Sequence, residues 1–347
     1  MLFNVIPLKK SLTVSITQIV GLKFYKMNIK LATKNEQKQW DEFVKQSNNG
    51  TIFHLLRFQE YHPTERFSFH NLMFYDNDKL VAVLPGQLKE NEFISPAGAS
   101  YGSFVIGDTD LDTSNKIVLA FHEYCIDKGI NKIKMTQVPL PYIKNLNQNI
   151  EFTMLYHGYN YLYHLFTSVV DLKLFDGDNI IENFYPNARR NVKKSLRFPE
   201  LRVEINKDYK GFYPILLKNK KKFKLNPTHT LDEMLKLVEL FPDDILLYMC
   251  YLGDVPIAGV WIMKCNPSVI LTFYIASLHE YQEYRPVNRL FYEIIKWAIS
   301  NGFKYMDLGV SMNTASDNPM EPSPNLIAFK ESHGSRGFLR STLEKIF

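Results

Sequence analysis

The chain has 347 residues, 46% hydrophobic and 22% charged, enough apolar material for two domains or one large one, and an ordinary globular composition. Its 41 basic and 36 acidic residues leave a formal charge of +5, which excludes a polycation's field, so any preference for anions must be local. Cys125, Cys250 and Cys265 show no Cys-x-x-Cys spacing, so neither a disulfide framework nor a zinc site is indicated, and a reducing cytoplasm fits best.

The chain opens with a mildly apolar stretch between lysines. Ser11 to Leu22 is broken by Ser, Thr and Gln, lacks a small-residue cleavage site, and is shorter than the roughly 20 apolar residues of a membrane-spanning helix. Residues 1–27 are therefore expected to be an extension ahead of the fold, with Met27 a candidate initiator. No other segment reads as a membrane span. From Asn35, Trp40, Phe43 and Val44 share a helical face that Asn48, Asn49 and Gly50 terminate. Two strand patterns follow, NLMFY and KLVAVLPGQL, joined by the turn formers Asp76, Asn77 and Asp78. A third strand is expected around FISPAGASYGSFV, then an amphipathic helix, KIVLAFHEYCIDKG, ended by Gly129, then the strand INKIKMTQV.

The later half repeats this order. LLYMCYLGDVPIAGVWIM reads as a hairpin, VILTFYIAS as a strand, RLFYEIIKWAISNG as a helix ended by Gly302, and FKYMDLGVS as a strand. Gly129 and Gly302 lie 173 positions apart, and the hairpins match at 176, Val81-Ala82 on Ile257-Ala258. A period this long implies paired α/β lobes rather than a solenoid. The lobes are placed at residues 28–165 and 166–347. Between the repeats lie the basic helix of YPNARRNVKKSLRFPELRVEI with its following strand, and a helix, DEMLKLVEL, that Thr230 should cap through its spacing to Glu233.

Several segments can carry chemistry. Gly98-Ala99-Ser100-Tyr101-Gly102 satisfies the G-x-S-x-G pattern of α/β hydrolases, but strand and turn residues follow instead of a helix. The segment reads better as a Gly-rich strand end approached by a ligand or another backbone, with Tyr101 a substrate contact. Arg189, Arg190, Asn191, Lys193, Lys194 and Arg197 crowd nine positions without an acid, which favours a phosphate over a merely solvated face. Lys218, Lys220, Lys221, Lys222 and Lys224 read as solvated surface, with His229 a structural turn residue. The loop HEYQEYRPVN places Arg285, Asn288 and Arg289 at a helix N-terminus, where side chains replace the missing glycines of a phosphate cradle or cap the helix. Lys330, behind an apolar run, could stabilise an oxyanion or a carboxylate. Asp307 could take a proton from an amine or pair with that lysine.

In this order the duplicated lobe, NARRNVKKS and its strand, FYIAS, WAISNGFKYMDLGVS and LIAFKESHG resemble the FemAB-like nonribosomal peptidyltransferases of the GNAT acyltransferase superfamily, over roughly residues 28 to 345. The resemblance implies an α/β (α+β) protein of two GNAT-like lobes, each a mixed central sheet flanked by helices, with the active site in the second. It implies an N-acyltransferase that moves an acyl or aminoacyl group onto an amine of a cell-envelope or polysaccharide precursor. The donor would be acyl-CoA or aminoacyl-tRNA, with no permanently bound cofactor and no metal, and the partners a phosphorylated or lipid-linked acceptor and, for the second donor, tRNA. A lipid-linked acceptor would bring the protein to a membrane surface. Lys330 would match the lysine of the family's Phe-Lys pair near the reacting carbonyl, with Phe329 beside it, and Arg189, Arg190 and Lys193 the family's basic helix. Proton removal would fall to Asp307, Tyr274 or the leaving group. The alternative is a noncatalytic module on the same fold that binds RNA or a nucleotide-linked ligand.

Overall fold

The computed structural model describes residues 27–222 and 225–347; residues 1–26, most of the expected extension, and Lys224 of the second basic run lie outside the described residues. The first lobe runs β1 (Asn28–Leu31), α1 (Gln37–Gln46), a short α2 (Leu56–Gln59), β2 (Leu72–Asp76), β3 (Lys79–Leu84), β4 (Gln87–Lys89), β5 (Glu92–Ser95), β6 (Val105–Ile106), α3 (Leu111–Asp127), β7 (Lys132–Thr136), α4 (Asn149–Tyr156) and β8 (Asn160–Asp171). The basic helix α5 (Pro186–Ser195) follows. Then come β9 (Leu201–Asn206), α6 (Tyr209–Lys221), α7 (Leu231–Leu240), β10 (Ile245–Leu252), β11 (Val255–Asn266), β12 (Val269–Ser277), α8 (Pro286–Ser300), β13 (Tyr305–Val310), α9 (Pro324–Glu331) and β14 (Ser335–Ile346).

The repeat expected from sequence is present element by element. Counterparts such as β2 and β10, α3 and α8, β7 and β13, or α4 and α9 begin 173 to 175 positions apart. Gly129 and Gly302, aligned on sequence, both adopt left-handed backbone just after their helices, at φ 67° and 77°, where a side chain would be strained. The match extends to single hydrogen bonds: Trp40 Nε1 donates to the His54 carbonyl at 2.7 Å, and 173 positions later Tyr213 Oη donates to the His229 carbonyl at 3.3 Å. Thr230 caps α7 as expected, accepting from the Glu233 N–H while Glu233 Oε2 accepts from the Thr230 N–H. The expected strand over FISPAGASYGSFV is split into β5 and β6. Between them Gly102 lets the chain fold back on itself, since a Cβ there would lie 2.5 Å from the Pro96 nitrogen. The close approach read from the glycines is thus one of backbone to backbone.

A four-stranded sheet, β1-β2-β3-β6, accompanies a ten-stranded one in the order β4-β5-β7-β14-β8-β13-β12-β11-β10-β9. In each lobe two strands pair in parallel, β5 with β7 and β12 with β13, connected through α3 and α8. The terminal strands are exchanged. β8, which ends the first lobe, pairs with β13 of the second, while β14, which ends the second, pairs with β7 of the first. The two exchanged strands also pair with each other, from Ser335 opposite Val170 to Glu344 opposite Asn160. The 165/166 position that divides the lobes on sequence falls inside β8.

Three apolar clusters follow from this arrangement. One lies under α3 and α4, around Phe93, Phe121 and Ile133, and one between α5, α8 and the second sheet, around Val192, Phe291 and Met306. The third draws on both lobes, joining Trp40, Phe58, Tyr101 and Tyr142 to Phe212, Leu237, Trp261 and Leu271. Neither lobe can close its sheet or this shared core alone, so the described chain should unfold in one cooperative transition. Calorimetry should give one melting transition, and deleting Ser335–Phe347 should abolish the native melt of both lobes. Two separate transitions, or a folded first lobe after the deletion, would contradict strand exchange as the source of cooperativity.

Candidate acyl-transfer site

β12 and β13 pair only from Val269 opposite Tyr305 to Leu271 opposite Asp307. Beyond that β12 continues to Ser277 and β13 to Val310, so the strands diverge and leave backbone groups free in the gap. The point of divergence is fixed by two buried charged side chains. Asp307, with no solvent exposure, accepts four hydrogen bonds: from Thr167 Oγ1 at 2.6 Å, the Gly309 N–H at 2.8 Å, Tyr142 Oη at 2.8 Å and Tyr101 Oη at 3.1 Å. Lys330 is 3% exposed, and its Nζ donates to the carbonyls of Gly309 at 2.7 Å and Val310 at 3.1 Å. Gly309 takes φ 74°, a turn that aims its carbonyl toward the lysine. Lys330 therefore grips the very segment that Asp307 anchors.

Each charge is stabilised differently. Two phenols, a hydroxyl and an N–H replace the water that Asp307 loses, and burial together with the adjacent carboxylate raises both tyrosines well above the ordinary phenol range, keeping them protonated donors. Lys330 has two neutral carbonyls and no carboxylate within ion-pair distance among the described residues. Burial accordingly lowers its pKa to about 8, with the charge of Asp307 pulling back upward.

The other residues singled out on sequence fall into separate groups. Phe329 packs on His333 and Phe291, at ring-centroid distances of 4.8 and 5.8 Å. Asn288 is buried and donates to His333 Nε2 at 3.0 Å, so it holds α8 to the chain after α9 and is not free for a ligand. Arg289 is tied to Glu293 at 2.8 Å. Arg285 immediately precedes α8 in the left-handed conformation, φ 56°, that a glycine would ordinarily supply, and its Nε has no partner. Tyr274 lies on the diverging stretch of β12, but its hydroxyl is committed to the seam between the lobes. Its hydroxyl bonds His229 Nδ1 at 3.0 Å, and His229 Nε2 meets Tyr61 at 3.1 Å, a satisfied seam between the lobes. The burial that lowers the His229 pKa to about 4 raises that of Tyr274, which leaves neither a free base for an amine in the gap.

The expectation that no acid answers the basic helix is corrected by Glu182, just outside the nine positions counted. It pairs with Arg189 at 2.5 Å and Lys193 at 3.9 Å. Asn191 is half-buried on the same helix, while Arg190, Lys194 and Arg197 have no ion-pair partner among the described residues. The C-terminal end of α5 reaches the start of α8, where the Phe198 and Tyr284 rings lie 4.8 Å apart. Arg197 and Arg285 thus flank one place. Tyr142, Thr167 and His333 were not singled out on sequence. Tyr142 and Thr167 contact Asp307 across 165 and 140 positions, beyond any local pattern, whereas His333 lies inside the KESHG segment.

With this geometry in view, residues 183–317 match the family model described as an acetyltransferase (GNAT) domain. Most of the second lobe thus matches a GNAT domain. The chain shares its fold with FemX, at TM-score 0.69 and 14% identity over 92% of this chain and 97% of that one. It is also similar to L-PGS from Bacillus licheniformis, at TM-score 0.58 and 11% identity over 88% and 90% of the two chains. A tandem GNAT protein from the clavulanic acid biosynthesis pathway aligns at TM-score 0.52 and 9% identity over 92% and 98%. No curated protein matches the sequence. The FemAB-like resemblance therefore holds as a tandem GNAT fold, and this GNAT acyltransferase fold has Lys330 at its strand divergence. No helix among the described residues is long and apolar enough to cross a membrane.

Two measurements test the electrostatics. Asp307→Ala strands four donors and should cost at least about 4 kcal/mol in chemical denaturation, Tyr142→Phe about 1 to 3 kcal/mol; near-neutral values for both would show the network to be dispensable. For Lys330 the folded pKa lies below the unfolded one, so the cost of its buried charge is full below about pH 8 and shrinks as pH rises toward 10.5. Relative to Lys330→Met, the wild type should gain stability across that window by at most about 1.4 kcal/mol per pH unit. Parallel pH profiles would show that Lys330 titrates normally.

Proposed function

We propose that the protein is an N-acyltransferase whose second lobe transfers an acyl or aminoacyl group to the amine of a cell-envelope or polysaccharide precursor. The observation that carries this reading is the buried Lys330, with no carboxylate in ion-pair contact among the described residues, gripping the end of β13 where it diverges from β12; both strands lie within the residues that match the GNAT domain. Two of its protons are committed to the Gly309 and Val310 carbonyls. The third is available to an oxygen in the gap, where a developing oxyanion would meet a cation in a dry setting. The amine nitrogen attacks the acyl carbonyl, the C–N bond forms, and the C–S bond of a thioester or the C–O bond of an aminoacyl ester breaks.

Asp307 takes the part of a positioning residue in this scheme. Its oxygens are already filled by four donors, so the proton lost by the amine goes to the departing sulfur or oxygen, one of the routes the sequence leaves open. The donor, acyl-CoA or aminoacyl-tRNA, carries phosphates in either case. Arg197 and Arg285, next to the Phe198–Tyr284 contact and the uncapped N–H groups at the start of α8, would receive them, with Arg190 and Lys194 adding positive charge on α5. FemX, L-PGS of Bacillus licheniformis and the tandem GNAT protein share the fold, which accommodates either donor.

Incubation with acyl-CoA and aminoacyl-tRNA panels and amine acceptors, read by mass spectrometry, should reveal a transferred group. Lys330→Ala, shown to be folded by its melting curve, should lose at least about a hundredfold in turnover. Arg285→Glu should raise the donor KM with little change in kcat. Unchanged turnover in folded Lys330→Ala removes that residue from the chemistry. Salt-sensitive RNA binding without transfer from any donor would favour the noncatalytic module instead.

A further inference from the structure

A second concavity lies on the seam between the lobes, built by residues that the acyl-transfer site does not use. It has a volume of about 400 Å³, within the usual range for small-molecule sites. One wall comes from the end of α1 and the chain after it, with Val44, Ile52 and Leu55; the other comes from the β11–β12 turn and Phe303. Val44, Ile52 and Leu55 are buried members of the core shared by both lobes. The floor is Cys265, 3% exposed. Asn266, also in the lining, donates to the Tyr142 carbonyl at 3.0 Å, so the turn that shapes this cavity also holds the residue that presents Tyr142 to Asp307.

The polar lining is small and carries both signs of charge. Lys45 and Lys264 supply two cations, and neither has an ion-pair partner among the described residues; Lys264 lies over the Trp297 ring, 5.7 Å from its centroid. Asp244 supplies one carboxylate, intermediate in exposure, and neither of its oxygens takes a hydrogen bond among the described residues. Partial burial raises the Asp244 pKa, while Lys264 and Lys45 oppose that shift and Asp243 adds to it, so both lysines act on this carboxylate without bonding it. Lys45 is exposed and Asp244 and Lys264 are intermediate in exposure, so the cavity presents one carboxylate and two amines, none with a side-chain hydrogen-bond or ion-pair partner among the described residues, beside an apolar wall.

We propose that this seam cavity binds a small zwitterion with an apolar body, of the α-amino acid class. Its ammonium group is received by Asp244, its carboxylate by Lys264 and Lys45, and its side chain by Val44, Ile52, Leu55 and Phe303. The two charged heads of one small molecule supply the partners that each lining charge lacks. A lone carboxylate would leave Asp244 unanswered and facing another anion, and a lone amine would face two lysines.

The test uses the full chain with L-phenylalanine and L-leucine as probes, and with 3-phenylpropionate and phenethylamine as the two half-ligands, in calorimetric titration and thermal melts. The zwitterions should bind saturably and raise the melting temperature, with each half-ligand at least about tenfold weaker. Asp244→Asn should weaken L-phenylalanine about tenfold while sparing 3-phenylpropionate, and Lys264→Gln should weaken both carboxylates. Lys330→Ala should bind the zwitterions as the wild type does, which separates this site from the acyl-transfer gap. The proposal is overturned by an absence of saturable binding, or by binding that Asp244→Asn and Lys264→Gln leave unchanged.

Discussion

Everything in this molecule depends on the exchange of the last strand of each lobe. β8 leaves β7 to pair with β13, β14 leaves β13 to pair with β7, and the two run antiparallel to one another down the middle of the large sheet. A domain that lends its closing strand exposes an unpaired edge wherever its partner is missing, and an exposed edge is costly in solution and prone to wrong pairing. The exchange therefore converts two similar folds into one folding unit. It also fixes the relative position of the lobes to the precision of a hydrogen-bond ladder, so groups from both can meet at one carboxylate.

Asp307 is where that precision is spent. It sits on β13 opposite Val169 of the exchanged strand, and its four donors come from the Gly98–Gly102 segment, the loop after β7, β8 and its own strand. A charge buried this completely is tolerable only when every partner arrives in register. The same register sets the path of Gly309 and Val310, whose carbonyls receive Lys330. Binding groups on the gap are thus held by contacts that reach across the whole chain, and the mobility that a two-lobed outline suggests is removed where chemistry would need rigidity.

Much of this scaffold is legible in the sequence, for a local reason. Helices α3 and α8 announce themselves by apolar periodicity and by a terminal glycine that only positive φ explains, and the hairpins by their turn residues, so the repeat is visible at its punctuation. The exchanged strands are additions to the elements expected from sequence. NYLYHLFTSVVD and SRGFLRSTLEKI do not alternate cleanly, because their faces are partly covered by different lobes, and no local pattern says which distant strand a segment joins. Site residues divide in the same way. Lys330, Phe329 and Asp307 stand out beside strong elements, whereas Tyr142 and Thr167 matter only through a contact more than a hundred residues away. Glu182 was passed over because a count of charge within a helix ignores the turn before it.

The duplication also supplies an internal control on where chemistry belongs. At the offset of β7 and β13 the first-lobe counterpart of Asp307 is Lys134, and at the offset of α4 and α9 the counterpart of Lys330 is Leu155. The first lobe keeps the parallel pair, its connecting helix and the helix that follows, yet an aliphatic side chain stands where the buried amine would be. A scaffold alone therefore does not call for a buried cation at the strand divergence, since the same scaffold four strand spacings, about 19 Å, across the sheet is built without one. Burying Lys330 with no carboxylate in ion-pair contact lowers its pKa to about 8 despite the upward pull of Asp307 and works against stability at neutral pH, an arrangement that packing does not require and that the proposed oxyanion contact would use.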